Sequence, residues 1–330
     1  MTTGTGQISL SFTDGEFSER IRERLETVEE HLLKAVDTEQ PLLRQSGSHL
    51  INAGGKRFRP MLTLTCAHLG DPDRPGIVES AVALELTHLA TLYHDDVMDE
   101  ASVRRGAASA NARWDNSVAI LTGDYLFSQA AQIMAELGPE AVRTQAVTFA
   151  RLVRGQINET MPRPDRFDPV EWHLSILSEK TGSLIATCAK FGAWFAGADA
   201  DTMATAEKFG EVIGVAFQIA DDIIDVASDH SGKTPGTDLL EGVPTLPVIY
   251  ALAGDDPAEA RLRELVAGPV PEDDLREALE LLRASSALDD ARATLRRYQE
   301  RARTLAASLP DGPARQALVD ICDYMIQRDA

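Results

Sequence analysis

Apolar residues recur along most of the chain at steps of three and four, the spacing that places side chains on one face of an α-helix. Residues 16–36 show this clearly, with Phe17, Ile21, Leu25 and Val28 set among charged positions. No stretch has the strict alternation of a half-buried strand. The pattern therefore predicts an all-α protein. The predicted helices lie at about 16–36, 41–53, 58–69, 76–100, 115–136, 139–160, 168–181, 183–197, 201–228, 244–254, 258–267, 271–283, 286–308 and 312–328.

Glycine and proline, which favour turns, mark the breaks between these helices. The clearest breaks are GDPDRPG at 70–76, MPRPDRF at 161–167 and SGKTPGTDLLEGVP at 231–244. No long linker or low-complexity tract divides the sequence. We therefore expect one helical domain over 16–330, preceded by a flexible tail over 1–15.

Composition narrows the possible partners. The chain has 330 residues, of which 44% are hydrophobic, and a formal net charge of −20. Proteins that bind nucleic acid or anionic membranes present Lys and Arg to phosphates, so this charge argues against both. Because both this protein and a phosphorylated substrate carry negative charge, binding such a substrate would require cations between them.

Three further features bear on location. No segment has the roughly 18 apolar residues needed to span a membrane, so we expect no transmembrane segment. The N-terminus has no basic region followed by an apolar one, so no secretory signal is predicted. Cys66, Cys188 and Cys322 are scattered in apolar contexts, which is typical of a reducing cytoplasm.

Two acidic motifs of the form Asp-Asp-x-x-Asp end two apolar helices, HDDVMD at 94–99 and ADDIID at 220–225. The spacing places Asp95 and Asp99 on one helix face, and the second motif repeats it. Grouped carboxylates repel one another unless cations neutralise them. Aspartate oxygens suit Mg²⁺, which also binds substrate phosphates. One motif alone could be a solvated acidic turn, but two favour a metal site.

Basic residues accompany these motifs. In GGKRFRP at 54–60, a glycine pair can bring backbone N–H groups close to an anion, and arginine matches phosphate geometry. Each basic residue alone could be a surface counter-charge, whereas the group favours a phosphate site. His88 and Gln218 precede the motifs on apolar helices and could equally be core residues. The basic candidates, with Thr181 beside Lys180, are Lys56, Arg57, Arg59, Arg104, Arg105, Lys180 and Lys233.

From about residue 20 onwards, the sequence resembles the trans-polyprenyl diphosphate synthase family. The similarity is carried by GGKRFRP, ELTHLATLYHDDVMDEASVRRG, TGDYLF, EKTGSL, FQIADDIIDV and TLPVIYAL, and it continues to the C-terminus. The resemblance implies an isoprenoid synthase fold around a central cavity, usually in a homodimer. It also implies condensation of isopentenyl diphosphate, head to tail, with an allylic diphosphate in the presence of Mg²⁺.

The resemblance assigns roles residue by residue. The implied metal ligands are Asp95, Asp96, Asp99, Asp221, Asp222 and Asp225. The implied isopentenyl diphosphate site comprises Lys56, Arg59, His88 and Arg105. Residues around the allylic diphosphate and the reacting carbon are Arg104, Lys180, Thr181, Gln218 and Lys233. Six of these are expected to act in catalysis: Asp95, Asp99, Lys180, Thr181, Gln218 and Asp221.

Two features are compared with the pattern of the family that the chain resembles. The family often has lysine two residues before the threonine of its TLP segment, where this chain has Val243. A bulky residue four or five positions before the first aspartate stops product growth early. Here Ala90 and Thr91 are small, as is Thr87 one turn further, which resembles long-chain synthases that make quinone side chains.

Other functions remain possible at this level. A shorter-chain synthase making geranylgeranyl or farnesyl diphosphate shares all the motifs. A terpene cyclase normally lacks the isopentenyl site, so GGKRFRP and Arg105 argue against it. A regulatory subunit of a heteromeric synthase tends to lose aspartates, whereas both motifs are complete here. Ala90 could also be small because it packs against a neighbouring helix.

Overall fold

The computed structural model describes residues 12–227 and 235–327, and these are almost entirely helical. The all-α prediction is confirmed, and each predicted helix is present to within a few residues. The α-helices of the described part are α1 (Gly15–Ala35), α2 (Pro41–Asn52), α3 (Phe58–Ala67), α4 (Ile77–Met98), α5 (Ala110–Arg113), α6 (Asn116–Leu137), α7 (Pro139–Thr160), α8 (Pro169–Leu177), α9 (Ser183–Phe195), α10 (Ala200–Ala227), α11 (Thr237–Glu241), α12 (Leu246–Ala253), α13 (Ala260–Leu265), α14 (Leu275–Ala284), α15 (Ser286–Ala307) and α16 (Pro313–Gln327).

Aspartate caps explain where several helices begin. The Asp14 carboxylate accepts hydrogen bonds from the N–H groups of Glu16 and Phe17, each at 3.0 Å. Asp115 and Asp168 cap α6 and α8 in the same way. Each cap satisfies backbone donors that the first helical turn leaves unpaired.

A short hairpin does not follow from the apolar pattern. Strands β1 (Val103–Arg104) and β2 (Ala107–Ala108) form an antiparallel hairpin. Its two turn residues, Arg105 at φ 55° and Gly106 at φ 74°, both have left-handed backbone, as tight hairpins require. Strands of two residues are too short to show alternation, so no hydrophobic pattern predicts them.

The chain forms two compact units, each with most of its contacts inside the unit. The first unit comprises Met1–Phe149, Leu184–Gly210 and Ser308–Asp320. The second comprises Ala150–Ser183, Glu211–Ala307 and Ile321–Ala330. The expectation of one domain over 16–330 stays a prediction.

The core of the first unit centres on α4, which packs along α3 and α6. Most of its side chains are buried, and Tyr93 is the largest of them. The Tyr93 hydroxyl donates to the Ser46 carbonyl and accepts from the Leu50 N–H at 3.3 Å. These bonds tie α2 to the helix that carries the first acidic motif.

The expected N-terminal tail falls partly outside the described residues, which begin at 12. The Phe12 side chain is buried, with its ring 5.5 Å from the ring of Phe17. The Thr13 N–H donates to Asp320 at 2.7 Å. Phe12 is therefore packed against α1, and the flexible tail over 1–15 stays a prediction.

The second unit has its own apolar cluster, formed by the end of α10 with α11 to α14. Val226, Val248, Leu262 and Leu282 are among its buried members. This cluster fixes the last turn of α10, which carries the second acidic motif. No described helix is long and apolar enough to cross a membrane.

Candidate active site

The first acidic motif occupies the last turn of α4, as predicted. The Asp99 N–H donates to the Asp95 carbonyl at 2.8 Å, so the helical spacing continues through the motif. Asp95 is half-buried and Asp99 is exposed. These two carboxylates therefore lie on one accessible face, one turn apart.

Asp96 lies on the opposite, buried side. Its Oδ1 accepts from Arg104 Nε of the hairpin at 2.6 Å, and its Oδ2 is buried without a hydrogen-bond partner. Burial raises the pKa of this carboxyl, and the Arg104 hydrogen bond opposes that rise. Asp96 thus holds Arg104 next to the motif.

The Gly54–Gly55 loop meets Arg105 directly. Arg105 Nη1 donates to the carbonyl oxygens of Leu50, at 2.9 Å, and of Gly54. Gly55 has a φ of 145°, and a Cβ there would lie 2.7 Å from the Arg105 guanidinium carbon. Only glycine lets the loop approach this side chain so closely.

Arg105 belongs to a basic cluster around His88 in the first unit. Burial and the neighbouring arginines, Arg59 and Arg105 foremost, lower the pKa of His88 well below its usual value, so the ring is neutral. The pKa values of Arg59 and Arg105 are also lowered, chiefly by burial, and Glu85 only partly offsets this. Arg59 Nε is buried without a hydrogen-bond partner. Such under-neutralised guanidinium groups are suited to binding an anion.

Arg57 is used differently from the prediction. Its guanidinium donates to the carboxylates of Glu29 and Glu85 and to the carbonyls of Ile51 and Gly54. These bonds engage all five N–H donors of the side chain. This geometry argues against the predicted phosphate contact and makes Arg57 a support beneath the loop.

The second acidic motif lies in the last turns of α10, also as predicted. Asp222 is buried, and its Oδ2 accepts from the Leu246 N–H at 3.1 Å and from His173 Nε2 at 3.0 Å. The Asp225 carbonyl accepts from the Gly236 N–H at 2.9 Å. Asp221 is half-buried.

Lys180 and Thr181 lie in a π-helical turn, Ser178–Gly182, between α8 and α9. π-Turns inside helices occur often at functional sites. The Lys180 ammonium pairs with Glu159 of α7. Gly155, one turn before Glu159, brings α7 against this turn, since a Cβ there would lie 2.5 Å from the Lys180 backbone nitrogen.

We expect Gly155→Val to displace the turn that carries Lys180 and Thr181. The added side chain would overlap backbone atoms, which cannot rotate away. The catalytic rate should fall about 100-fold or more, as 1 Å misplacements of catalytic groups can do. Steady-state kinetics with circular dichroism as a folding check measure this. Gly15→Val, where a Cβ meets nothing within 4 Å, is the control, and an equal rate in both variants would refute the prediction.

The residues expected to limit product length lie on α4, before the first motif. Thr87 and Ala90 are buried, and Thr91 is half-buried. The Thr87 hydroxyl donates to the Ala83 carbonyl at 2.8 Å and accepts from Gln145 Nε2 at 3.1 Å. Small side chains at these positions are therefore part of a packed helix surface.

Val243 lines a cavity of about 400 Å³ within the second unit. Trp172, Ile176 and Leu252 provide apolar wall, and His173 and Glu159 also face it. The residue that departs from the family pattern therefore borders the partners of both Asp222 and Lys180.

The remaining candidates are placed as follows. Lys56 is exposed in the glycine loop, and Gln218 is half-buried on α10. Lys233 lies outside the described residues. Among the described residues, no group of three or more His, Cys, Asp or Glu side chains is arranged to hold a metal ion. The first unit contains Asp95, Asp99, Arg59, His88, Arg104 and Arg105, and the second contains Lys180, Thr181, Gln218, Asp221, Asp222 and Asp225.

A family model described as polyprenyl synthetase matches residues 40–282, which include both motifs and the basic loop. The chain belongs to the polyprenyl synthetase family. It is accordingly an enzyme, a prenyltransferase, as the sequence predicts.

Three relatives show how similar the chain is to other members of this family in sequence and structure. It is 47% identical to nonaprenyl diphosphate synthase of Mycobacterium tuberculosis over 99% of both chains. It is 43% identical to a geranylgeranyl pyrophosphate synthase from Corynebacterium glutamicum, solved with calcium and isoprenyl diphosphate, over 96% and 99% of the chains, with a TM-score of 0.87. A decaprenyl diphosphate synthase from Rhodobacter capsulatus gives a TM-score of 0.88 at 33% identity, over 96% and 99%.

Sequence reasoning missed three residues of this synthetase that touch the candidate groups. They are Gly155, Glu159 and His173, which contact Lys180 or Asp222. Each lies in an ordinary amphipathic helix outside the recognised motifs. Only the fold reveals which face each presents.

Proposed function

We propose that this chain condenses isopentenyl diphosphate, head to tail, with an allylic diphosphate in a Mg²⁺-dependent reaction. The observation that carries the proposal is the half-buried basic cluster of Arg59, His88 and Arg105 on the same unit as the Asp95–Asp99 face. An under-neutralised basic cluster suits a free diphosphate, whereas a carboxylate face suits one that arrives with a metal. One chain thereby offers different chemistry to two anionic substrates.

The donor set fits a hard divalent cation. Asp95 and Asp99 present carboxylate oxygens one turn apart, and the proposal assigns Asp221, Asp222 and Asp225 to the same task. Mg²⁺ characteristically takes a few carboxylates and completes its shell with waters and substrate phosphates. When bound, it would neutralise the departing diphosphate. Asp96 supports Arg104 from the buried side instead of facing solvent.

The basic residues are assigned to two tasks, binding of isopentenyl diphosphate and stabilisation of the leaving group. Lys56, Arg59 and Arg105 would hold isopentenyl diphosphate, with neutral His88 contributing a hydrogen bond and no charge. Holding that substrate in place supplies orientation, a large part of the rate in two-substrate reactions. Arg104, Lys180 and Lys233 would stabilise negative charge on the leaving group.

Two polar side chains are proposed near the reacting carbon. Thr181 is buried in the π-turn, and Gln218 is half-buried one turn before the second motif. Their hydroxyl and amide dipoles would orient the allylic group and stabilise positive charge on it. The proton lost in the condensation would pass to the released diphosphate.

We assign a long-chain product, on the small residues Thr87, Ala90 and Thr91 along α4. Relatives that make nonaprenyl and decaprenyl diphosphates support this. A shorter product is the second candidate, because the chain is also 43% identical to a geranylgeranyl pyrophosphate synthase. A long prenyl product suits the side chain of a quinone.

Ala90→Phe should shorten the product by several isoprene units. One helical turn rises about 5.4 Å, close to the length of one unit, so a bulky ring on α4 would block growth. Product chromatography measures the length, and Leu33→Phe, at an exposed position of α1, is the control. Because Ala90 is buried, thermal unfolding is measured alongside. An unchanged product length from a folded variant would refute the role of position 90 in limiting chain growth.

Two further assignments concern assembly and location. We propose a homodimer, because α6 and α7 of the first unit expose Ile120, Leu121, Val142 and Val147. We propose a cytoplasmic location, because Cys66, Cys188 and Cys322 are buried thiols, as is usual in a reducing compartment.

A direct assay tests the proposed function. The purified chain is incubated with Mg²⁺, labelled isopentenyl diphosphate and a set of allylic primers, and products are resolved by length. We expect elongation with at least one primer. Failure with every primer would overturn the proposal and favour a regulatory subunit.

A further inference from the structure

One oxygen of Asp222 is occupied by two donors. Oδ2 accepts from the Leu246 N–H at 3.1 Å and from His173 Nε2 at 3.0 Å. A carboxylate only accepts, so the histidine nitrogen donates. The side chains of His173 and Asp222 are each 12% exposed, so little water competes for the contact.

These two bonds join three elements of the second unit. His173 lies on α8, Asp222 near the end of α10, and Leu246 at the first position of α12. α8 leads directly into the π-turn that carries Lys180 and Thr181. The orientation of Asp222 is therefore coupled to the helix that positions these residues.

Because Val243 stands where the family often has lysine, the contact between His173 and Asp222 matters more for the orientation of Asp222. It shares a cavity of about 400 Å³ with His173, and its isopropyl group has no donor to offer. The orientation of the Asp222 carboxylate therefore depends on the hydrogen bonds from His173 Nε2 and from the Leu246 N–H. Of these two, only His173 is a side chain that substitution can remove.

We propose that His173 is a positioning residue for the second acidic motif. It holds Oδ2 of Asp222 with the Leu246 N–H, so that this carboxylate presents Oδ1 to the metal ion. The inference rests on the proposed function. Partners that orient metal-binding side chains typically change metal affinity 10- to 100-fold when they are removed.

The test compares His173→Phe, which removes the donor, with His173→Gln, whose amide can still reach the carboxylate. Binding of Mg²⁺ with inorganic diphosphate is measured by titration calorimetry. We expect about tenfold weaker binding for the Phe variant and less than about threefold for the Gln variant. The KM for isopentenyl diphosphate should stay within about twofold, since Arg59 and Arg105 lie in the first unit.

Two controls separate positioning from general damage. Ser175→Ala changes an exposed side chain of the same helix and should bind as the wild type does. In an Asp222→Asn background, His173→Phe should have almost no additional effect, because both changes act on one contact. His173→Asn, whose amide is too short to reach, replaces the Phe variant if that one does not fold.

The outcomes are distinguishable. Wild-type binding in the Phe or Asn variant, or additive effects in the Asp222→Asn background, would overturn the positioning role alone. A wild-type chain that binds no Mg²⁺ with diphosphate would overturn the proposed function and this role together.

Discussion

Asp95→Ala should reduce turnover about 1,000-fold or more, the effect of losing a central electrostatic group in an active site. Asp95 provides one of two carboxylates on the accessible face at the end of α4. Without it, the proposed metal site would lose a carboxylate, and the charge of the leaving diphosphate would be less well neutralised. The steady-state rate with saturating Mg²⁺ and both substrates measures the loss.

The control for this prediction is Asp73→Ala, which removes an 88% exposed carboxylate from the same unit. That variant should keep wild-type activity. Asp95→Asn keeps the shape but not the charge and should be nearly as inactive as Asp95→Ala. Full activity in either Asp95 variant would remove the metal hypothesis.

Arg105→Leu should raise the KM for isopentenyl diphosphate about 100-fold, the loss expected for charged hydrogen bonds to a phosphate. The side chain is held beside Gly55 by the carbonyls of Leu50 and Gly54. Burial lowers the pKa of Arg105, and Glu85 only partly offsets this, so a bound anion would stabilise its charge. Initial rates at varied isopentenyl diphosphate measure the change.

The KM for the allylic substrate should change much less than that for isopentenyl diphosphate. Arg105→Lys should recover only part of the affinity, because an ammonium lacks the guanidinium fork. Arg143→Leu, at a 75% exposed arginine, is the control. Equal increases in both KM values would contradict a site specific for isopentenyl diphosphate.

Much of the fold follows from local patterns. The spacing of Phe17, Ile21 and Val28 specifies a helix with a buried stripe, and all three are buried in α1. The Asp95–Asp99 spacing likewise specifies a shared face, because helical geometry alone determines it. Local periodicity carries these features, so no tertiary information is needed to predict them.

Other features depend on contacts between distant residues. Arg57 looked like a phosphate ligand, but Glu29 and Glu85 lie 28 positions away on either side and engage it. The 103–108 hairpin is too short to have a periodicity. The contact between His173 and Asp222 joins positions separated by 49 residues, and neither position indicates the other.

The measurement that tests the central claim most directly is the stoichiometry of the reaction. Isopentenyl diphosphate consumption and inorganic diphosphate release are followed together in the purified chain with an allylic primer and Mg²⁺. The account predicts one diphosphate released for each isopentenyl diphosphate consumed, and a halt to both when the metal is chelated. Diphosphate release without consumption of isopentenyl diphosphate would contradict it.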